Sequence, residues 1–515
     1  MAGSDTVSPR RSAPSLAPWL APAGAALLAL LIIAATARWI AADSQVPDFD
    51  SAKHLLTAWS YSDRLGDWDL GTPFSGYTQY PPLVHLVGAV GTLVASKNVG
   101  PPILAVAIIF APLLALGLYR AGRLLGNSWT GLLAVVFAVG TPMVVTEFRA
   151  YMLEIPATAL LAVAVWLLIE SRRFEALVPA LLAGVAVGLG MLTKQSFAFF
   201  VAGFVAVLFL RGGWRNWRGV AAFAAAALVI GLPWYVVHWD DLRTTGEWAL
   251  GQNSEGPIWG AKNLSFYGWS FVNREFMLPL VVLFAAGAVA SVARFVRRPA
   301  ADDHTPELLA GLVVGWAALT FYLKLKSPYY ALPLTVFVAL LSTVWLADVR
   351  PTVLRAVGVG LGLVAAVNFA VAALHIGKPP GWRVALPGAS DTPGAQGARY
   401  VTVVSPEAWP ASLDAGDHGD IVDLVRALKA RGVRQVEFDN SADLAYWNST
   451  GLTALTTAAG VPRPPVYNPE ALQAPDDAFV WRAAPGPGTC KPLGDGTSIY
   501  VSLGPPSSGQ RICPE

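Results

Sequence analysis

The sequence is poor in charge: Asp, Glu, Lys and Arg make up 14% of its 515 residues, against roughly 25% in soluble domains. With 54% hydrophobic residues and a mean hydropathy of +0.50, that shortage excludes an ordinary soluble globular protein. It points to a polytopic membrane protein. The formal net charge of +2 is too small to argue for a nucleic-acid partner. Cysteine is scarce as well, with only Cys490 and Cys513, both in the polar C-terminal part. A late pair in a membrane protein reads either as a disulfide on the oxidising side or as two unpaired thiols.

Catalytic signatures are missing too. There is no Ser-centred GxSxG, no HExxH and no Walker A segment, which removes the simplest hydrolase, metalloprotease and NTPase readings. No Asp, Glu, Lys or Arg falls in the middle of an expected span. Ion-coupled transporters place ionisable groups or broken helices near the midplane, often within inverted repeats. Neither is visible, so chemistry at the membrane surface outranks transport through the core.

What is present is a succession of apolar runs. The first, Trp19–Ala37, is long enough to cross a ~30 Å hydrocarbon layer. Ala35-Thr36-Ala37 imitates a cleavage site, but the run exceeds the roughly 7–15 residues of a signal peptide, so a retained helix is expected. Further spans are expected at Pro101–Tyr119, Ser128–Thr146, Ile155–Ile169, Ala176–Thr193 and Ser196–Leu210. Others are expected at Gly219–Val237, Met277–Ala293, Leu308–Leu323, Tyr329–Ala347 and Leu354–Leu374, about 11 in all by hydropathy. Pro81–Ala95 is also apolar but short and opens on two prolines, so it reads as an interfacial helix.

Arginine placement tests this parsing. With the N terminus in the cytoplasm, the short inner segments carry Arg10/Arg11, Arg120/Arg123, Arg172/Arg173, Arg211/Arg215/Arg218, Arg294/Arg297/Arg298 and Arg350/Arg355, as the positive-inside rule requires. Counting Pro81–Ala95 as a crossing would put those clusters outside. The expected organisation is a disordered cytoplasmic tail over 1–18 and a transmembrane domain over 19–375, with outer loops 38–100 and 239–276. A Pro/Gly-rich linker over 376–398 then leads to a small extracytoplasmic domain over 399–515. There YVTVVSP, VRQVEFDN, FVWRAA and SIYVSLG read as strands, while DIVDLVRALKARG and ADLAYWNSTGLTALTTAAG read as helices. That alternation suggests an α/β domain.

The candidate chemistry gathers on the outer side, around the acidic and aromatic stretch Pro47–Pro82. Asp48 and Asp50 can act there as a general base or hold a metal. Spacing alone favours a plainer role, capping a helix that starts near Ser51. Glu154 opens a span just after Glu147 and Arg149; it is either a favourable charge at a helix N terminus or a second acid facing the same cavity. Lys194, Lys324 and Lys326 stand at span ends, as snorkelling cations or as phosphate ligands.

These features occur in a recognisable order. An early acid after the first helix is followed by QYPPL, YRAGRLLGNSWTGLLA, RAYMLEIPATALLAVAVWLL, GLGMLTKQS, GLPWYVV and SPYYALP. Over about Trp19–Leu374 the set resembles the GT-C superfamily of membrane glycosyltransferases. More narrowly it is similar to the branch of protein O-mannosyltransferases and lipid A aminoarabinose transferases. The resemblance implies a polytopic helical GT-C-like fold and an inverting transfer from a polyprenyl-phosphate sugar to an acceptor hydroxyl, on a lipid, glycan or protein, at the outer face of the cell membrane. It makes Asp50 the general base, with Asp48 as second choice, and aligns Glu154 with the acid of the second outer loop. It implies that Lys53, His54, Arg149, Lys194 and Tyr330 contact the donor phosphate or offset its charge. Tyr80 stands where some relatives carry Lys, and Asp-Phe-Asp where some pair two adjacent acids. A divalent metal at Asp48, Asp50 and Glu154 is therefore left open, and no other cofactor is implied. The C-terminal domain lies outside the resemblance. Two other readings stand beside it: a transporter or flippase for a lipid-linked glycan, and a non-catalytic assembly protein acting through its tail.

Overall fold

The computed structural model describes residues 17–42, 47–69, 71, 79–251, 255–297, 299 and 302–374. In the C-terminal part it describes 382–385, 400–404, 417–431, 433, 435–438, 449–458, 477–483, 490–492, 498–503 and 510–511. The expected tail over 1–18 lies almost wholly outside the described residues, as does most of the expected linker.

Helix α1 (Ala17–Ala42) is followed by α2 (Phe49–Gly66), α3 (Leu83–Val94), α4 (Gly100–Leu125) and α5 (Ser128–Val139). Then come α6 (Pro142–Glu147), α7 (Glu154–Glu170), α8 (Leu177–Met191), α9 (Phe197–Leu210) and α10 (Trp217–Val237). Helices α11 (Trp239–Gly251), α12 (Ala261–Ser270), α13 (Met277–Arg297), α14 (Thr305–Ala317), α15 (Thr335–Thr343) and α16 (Pro351–Leu374) complete the membrane part. Among the described residues, seven helical stretches are long and apolar enough to cross a membrane. Beside them, the expected spans at 128–146, 155–169, 176–193 and 196–210 hold apolar helices of 12, 17, 15 and 14 residues. The expected Ser128–Thr146 span breaks because Pro142 starts a new helix and has no N–H for the preceding turn. The carbonyl freed at Gly140 accepts a hydrogen bond from Asn368 Nδ2 at 2.7 Å.

Local rules set the ends of these helices. Asn127 caps α5: its Oδ1 accepts from the Trp129 and Thr130 amides at 2.9 and 3.1 Å, and Thr130 Oγ1 accepts from the Asn127 amide at 2.8 Å. This is a reciprocal capping box. Where α4 meets α5 the backbones nearly touch, since a Cβ on Gly122 would stand 2.7 Å from Gly131 Cα. Helix α7 is buried on nearly all sides and packs against α4 and α8, so it needs no polar face.

The segment expected as the first outer loop is largely helical. Helix α2 buries Ser51, Ala52, His54, Leu55, Ala58, Trp59, Tyr61 and Ser62, a 3–4 spacing that makes one face of a helix, and packs on α3. Helix α3 is only 12 residues long, in keeping with an interfacial segment. The segment expected as the second outer loop likewise holds α11, α12 and a π-helical turn, Phe271–Glu275.

In the C-terminal part, β1 (Trp382–Ala385) pairs antiparallel with β2 (Tyr400–Val404). Helix α17 (Asp417–Ala430), β3 (Gln435–Phe438), α18 (Ser449–Ala458), β4 (Asp477–Ala483), β5 (Lys491–Pro492), β6 (Ser498–Leu503) and β7 (Gln510–Arg511) follow. The sheet runs β3-β4-β6-β5 with β7 on β6; β3 and β4 are parallel and the other pairs antiparallel. Cys490 is disulfide-bonded, and Cys513, the chain's other cysteine, lies outside the described residues. This part meets the membrane part where α18 packs on α2, where β2 packs on α13 and on the turn Phe271–Glu275, and where Thr402 Oγ1 donates to Asn273 Oδ1 at 2.8 Å.

Candidate active site

The amphipathic face of α2 turns its N terminus toward the helical body, and Asp50 lies in its first turn. Asp48 occupies the N-cap position, yet its side chain makes no capping hydrogen bond. The plainer role expected from spacing is met in position only. Burial, then the neighbouring Asp50 charge, raises the Asp48 pKa against the lowering pull of the Phe49 and Asp50 amides. Asp50 Oδ2 accepts a hydrogen bond from the Tyr329 hydroxyl at 2.8 Å, across 279 positions of sequence. Tyr329 and Tyr330 lie on the 3-10 helix Pro328–Leu334, with ring centroids 5.0 Å apart and planes nearly perpendicular.

From Tyr330 the cluster runs on to the other acid. Lys194 Nζ lies 4.2 Å from the Tyr330 ring centroid and donates to Glu154 Oε1. The side chain of Glu154 is 2% exposed and that of Lys194 17%, so this is an ion pair with one face toward solvent. Lys194 follows α8, whose end is fixed to α3 by the Leu83 amide donating to the Leu192 carbonyl at 3.0 Å. Tyr151 fixes α3 from the other side, its hydroxyl donating to the Val84 carbonyl at 2.7 Å. Gln79 bridges the halves: its carbonyl accepts from Gln195 Nε2, and its side-chain Oε1 accepts from Lys53 Nζ. Lys53 also lies 5.5 Å from the Tyr80 ring centroid. Burial lowers the Lys53 pKa against the raising pull of Asp50. Burial raises that of Tyr80, with Asp50 and then Glu154 adding to it.

Two of the expected phosphate contacts, His54 and Arg149, are buried. His54 is 3% exposed, with Nδ1 3.0 Å from His85 Nε2. Burial, then His85, Lys194 and Lys53, push its pKa well down. Arg149 is 6% exposed, its guanidinium 3.9 Å from the Trp39 ring centroid. Beside it, Glu147 is held well above the usual carboxylate range by burial, then by Glu154 and Asp48, against Lys194 and Arg149.

Sequence reasoning missed Tyr329, Gln79 and His85, and gave Glu147 no role. SPYY signalled an aromatic pair but not which ring faces the acid. Lys326 neither snorkels nor faces a phosphate site; it is buried and donates to backbone carbonyls. No group of three or more His, Cys, Asp or Glu among the described residues is arranged to hold a metal ion.

Residues 79–239 match the family PMT_2, dolichyl-phosphate-mannose-protein mannosyltransferase. Over nearly its whole length the chain is similar in fold to ArnT from Cupriavidus metallidurans bound to undecaprenyl phosphate. That match has 16% identity, covers 92% of this chain and 94% of that one, and has a TM-score of 0.54. The apo form of the same protein matches with 15% identity over 91% and 93% of the two chains, also at 0.54. The apo oligosaccharyltransferase of Archaeoglobus fulgidus matches at 13% identity, over 69% of this chain and 55% of that one, with a TM-score of 0.44, too low to argue from. No curated protein matches the chain. The chain is thus a polytopic membrane protein with the fold of the GT-C glycosyltransferases. The resemblance read from its ordered motifs is shown both by that fold and by the matched segment.

Proposed function

We propose that the protein transfers a sugar from a polyprenyl-phosphate donor to an acceptor hydroxyl at the outer face of the membrane, with inversion at the anomeric carbon. The observation that carries this reading is the convergence of Asp50, Tyr329, Tyr330, Lys194 and Glu154 from three distant parts of the chain. Asp50 receives the acceptor's proton on the oxygen that Tyr329 does not occupy. The acceptor oxygen bonds to the anomeric carbon as the bond from that carbon to the phosphate oxygen breaks, and the electron pair leaves with the polyprenyl phosphate.

Lys194 and Lys53 balance the charge on the departing phosphate, which is electrostatic stabilisation where charge develops. Lys194 is held by Glu154 until a phosphate competes for it, while Tyr330 forms the wall beside it. Arg149 adds positive potential from behind. No nucleotide site is needed, because the activated sugar arrives on a lipid. The undecaprenyl phosphate bound by ArnT is the lipid class we expect here, in an orientation with the N terminus in the cytoplasm and the C-terminal domain outside.

The test is mass spectrometry of envelope lipids, glycans and glycoproteins from cells with and without the protein. A hexose or pentose mass increment present only with the protein supports the reading. Unchanged glycan structures with altered distribution across the membrane would favour a flippase.

A further inference from the structure

Lys326 is a charged side chain that the transfer step does not use. It is 9% exposed, and its ammonium donates to three backbone carbonyls: Leu319, Thr320 at 2.8 Å and Leu323 at 2.6 Å. An ammonium has three donors, so these bonds satisfy it. The carbonyls belong to and follow the π-helical turn Ala318–Tyr322. A π turn shifts the hydrogen-bond register and marks functional positions more often than chance.

A second side chain grips the same turn from another element. Asn263 on α12, 4% exposed, donates through Nδ2 to the Thr320 carbonyl at 2.9 Å and the Ile258 carbonyl at 2.8 Å. Tyr267, one helical turn further, places its ring centroid 5.6 Å from Lys326 Nζ. Burial pulls the lysine to about 8, against the raising pull of Glu255. The segment carrying α12 and the turn 318–326 are thus tied at the Thr320 carbonyl, and Lys326 itself stands two residues before Pro328 opens the 3-10 helix that carries Tyr329 and Tyr330.

We infer that Lys326, together with Asn263, is a positioning residue that fixes the start of the Pro328–Leu334 helix and so holds Tyr329 against Asp50 and Tyr330 beside Lys194. This deepens the transferase reading and rests on it for its effect on turnover. Its structural part stands on the carbonyl contacts alone. Arg is no substitute, since a planar fork cannot point three donors at three converging carbonyls.

The test uses the purified full chain in lipid nanodiscs, with Lys326→Met, Tyr329→Phe and the double variant. Hydrogen exchange of the amides over 327–334 is expected to speed up in Lys326→Met while that of α4 and α7 stays unchanged. Transfer is expected to fall roughly 10-fold or more, the size of lost charged hydrogen bonds, with undecaprenyl phosphate binding retained within about 3-fold. In the Tyr329→Phe background the same change is expected to cost less than about 2-fold, because residues acting through one another are not additive. Fully multiplicative losses, or unchanged exchange over 327–334, would overturn the inference. If Lys326→Met does not accumulate, Asn263→Ala carries the same readings. If the wild type transfers no sugar at all, the function proposed above falls while the exchange measurement still decides the clamp.

Discussion

The Tyr329 hydroxyl donates to Asp50 Oδ2 at 2.8 Å, joining the helix after the first span to the start of the apolar stretch Pro328–Asp348. That bond orients the carboxylate and leaves its other oxygen for an acceptor. Tyr329→Phe should keep the carboxylate but loosen its aim, at a cost of about 1.5–3 kcal/mol for a hydrogen bond to a charged group. The expected result is a fall in turnover of roughly 10- to 100-fold with little change in donor binding. A KM rise with unchanged kcat would place Tyr329 in ground-state binding instead.

Lys194 and Glu154 form a partly buried ion pair, so removing the acid leaves a cation without its partner. Breaking a buried pair typically costs about 3–5 kcal/mol. Glu154→Gln should lower the melting temperature in a thermal-shift assay. Lys194→Met should reduce undecaprenyl phosphate binding at least 10-fold, and equal binding by wild type and Lys194→Met would remove Lys194 from the phosphate site.

Glu147 gives a pH signature. Burial holds its folded pKa well above the ordinary glutamate value of about 4.5, so the native state keeps a proton that the unfolded chain releases. Stability then falls as pH rises from about 4.5 through the folded pKa. Its Oε2 is enclosed without a hydrogen-bond donor among the described residues. Glu147→Gln should therefore raise the melting temperature at pH 8 by roughly a few degrees, with the difference shrinking toward zero near pH 4.5. A difference that does not vary with pH would refute this assignment.

Gly88 lies where α3 passes Tyr151. A Cβ there would fall on the Tyr151 hydroxyl, which is bonded to the Val84 carbonyl. Gly88→Ala should destabilise by about 1–3 kcal/mol, the usual cost of overpacking. Gly246→Ala, with nothing near its Cβ, should be close to neutral; similar melting temperatures for the two would mean that α3 is not packed as described.

Much of this was legible in the sequence, for physical reasons. Charge deficit and hydropathy carry the membrane class, because the bilayer penalises charge regardless of fold. Glu154 and Lys194 stood out because ionisable groups beside apolar runs are few, whereas Tyr330 and the choice of Asp50 as base came from the family resemblance. The exact lengths of the inner helices were not legible, since hydropathy shows an apolar run but not where its backbone breaks, as it does at Pro142. Nor was the choice of Tyr329 over Tyr330 as partner of Asp50. Both are the same residue type, and only the turn of the 3-10 helix separates their faces. Lys326 was misread for a related reason: sequence shows a cation at a span end but not the carbonyls that fold around it.

The most direct test of the account is Asp50→Asn in the full chain. Transfer would be read by mass spectrometry of the sugar-bearing product, and undecaprenyl phosphate binding measured in parallel. General-base assistance is worth about 10²- to 10⁴-fold, so the account predicts loss of product on that scale with binding retained. Product formed at the wild-type rate by a folded Asp50→Asn protein would contradict it.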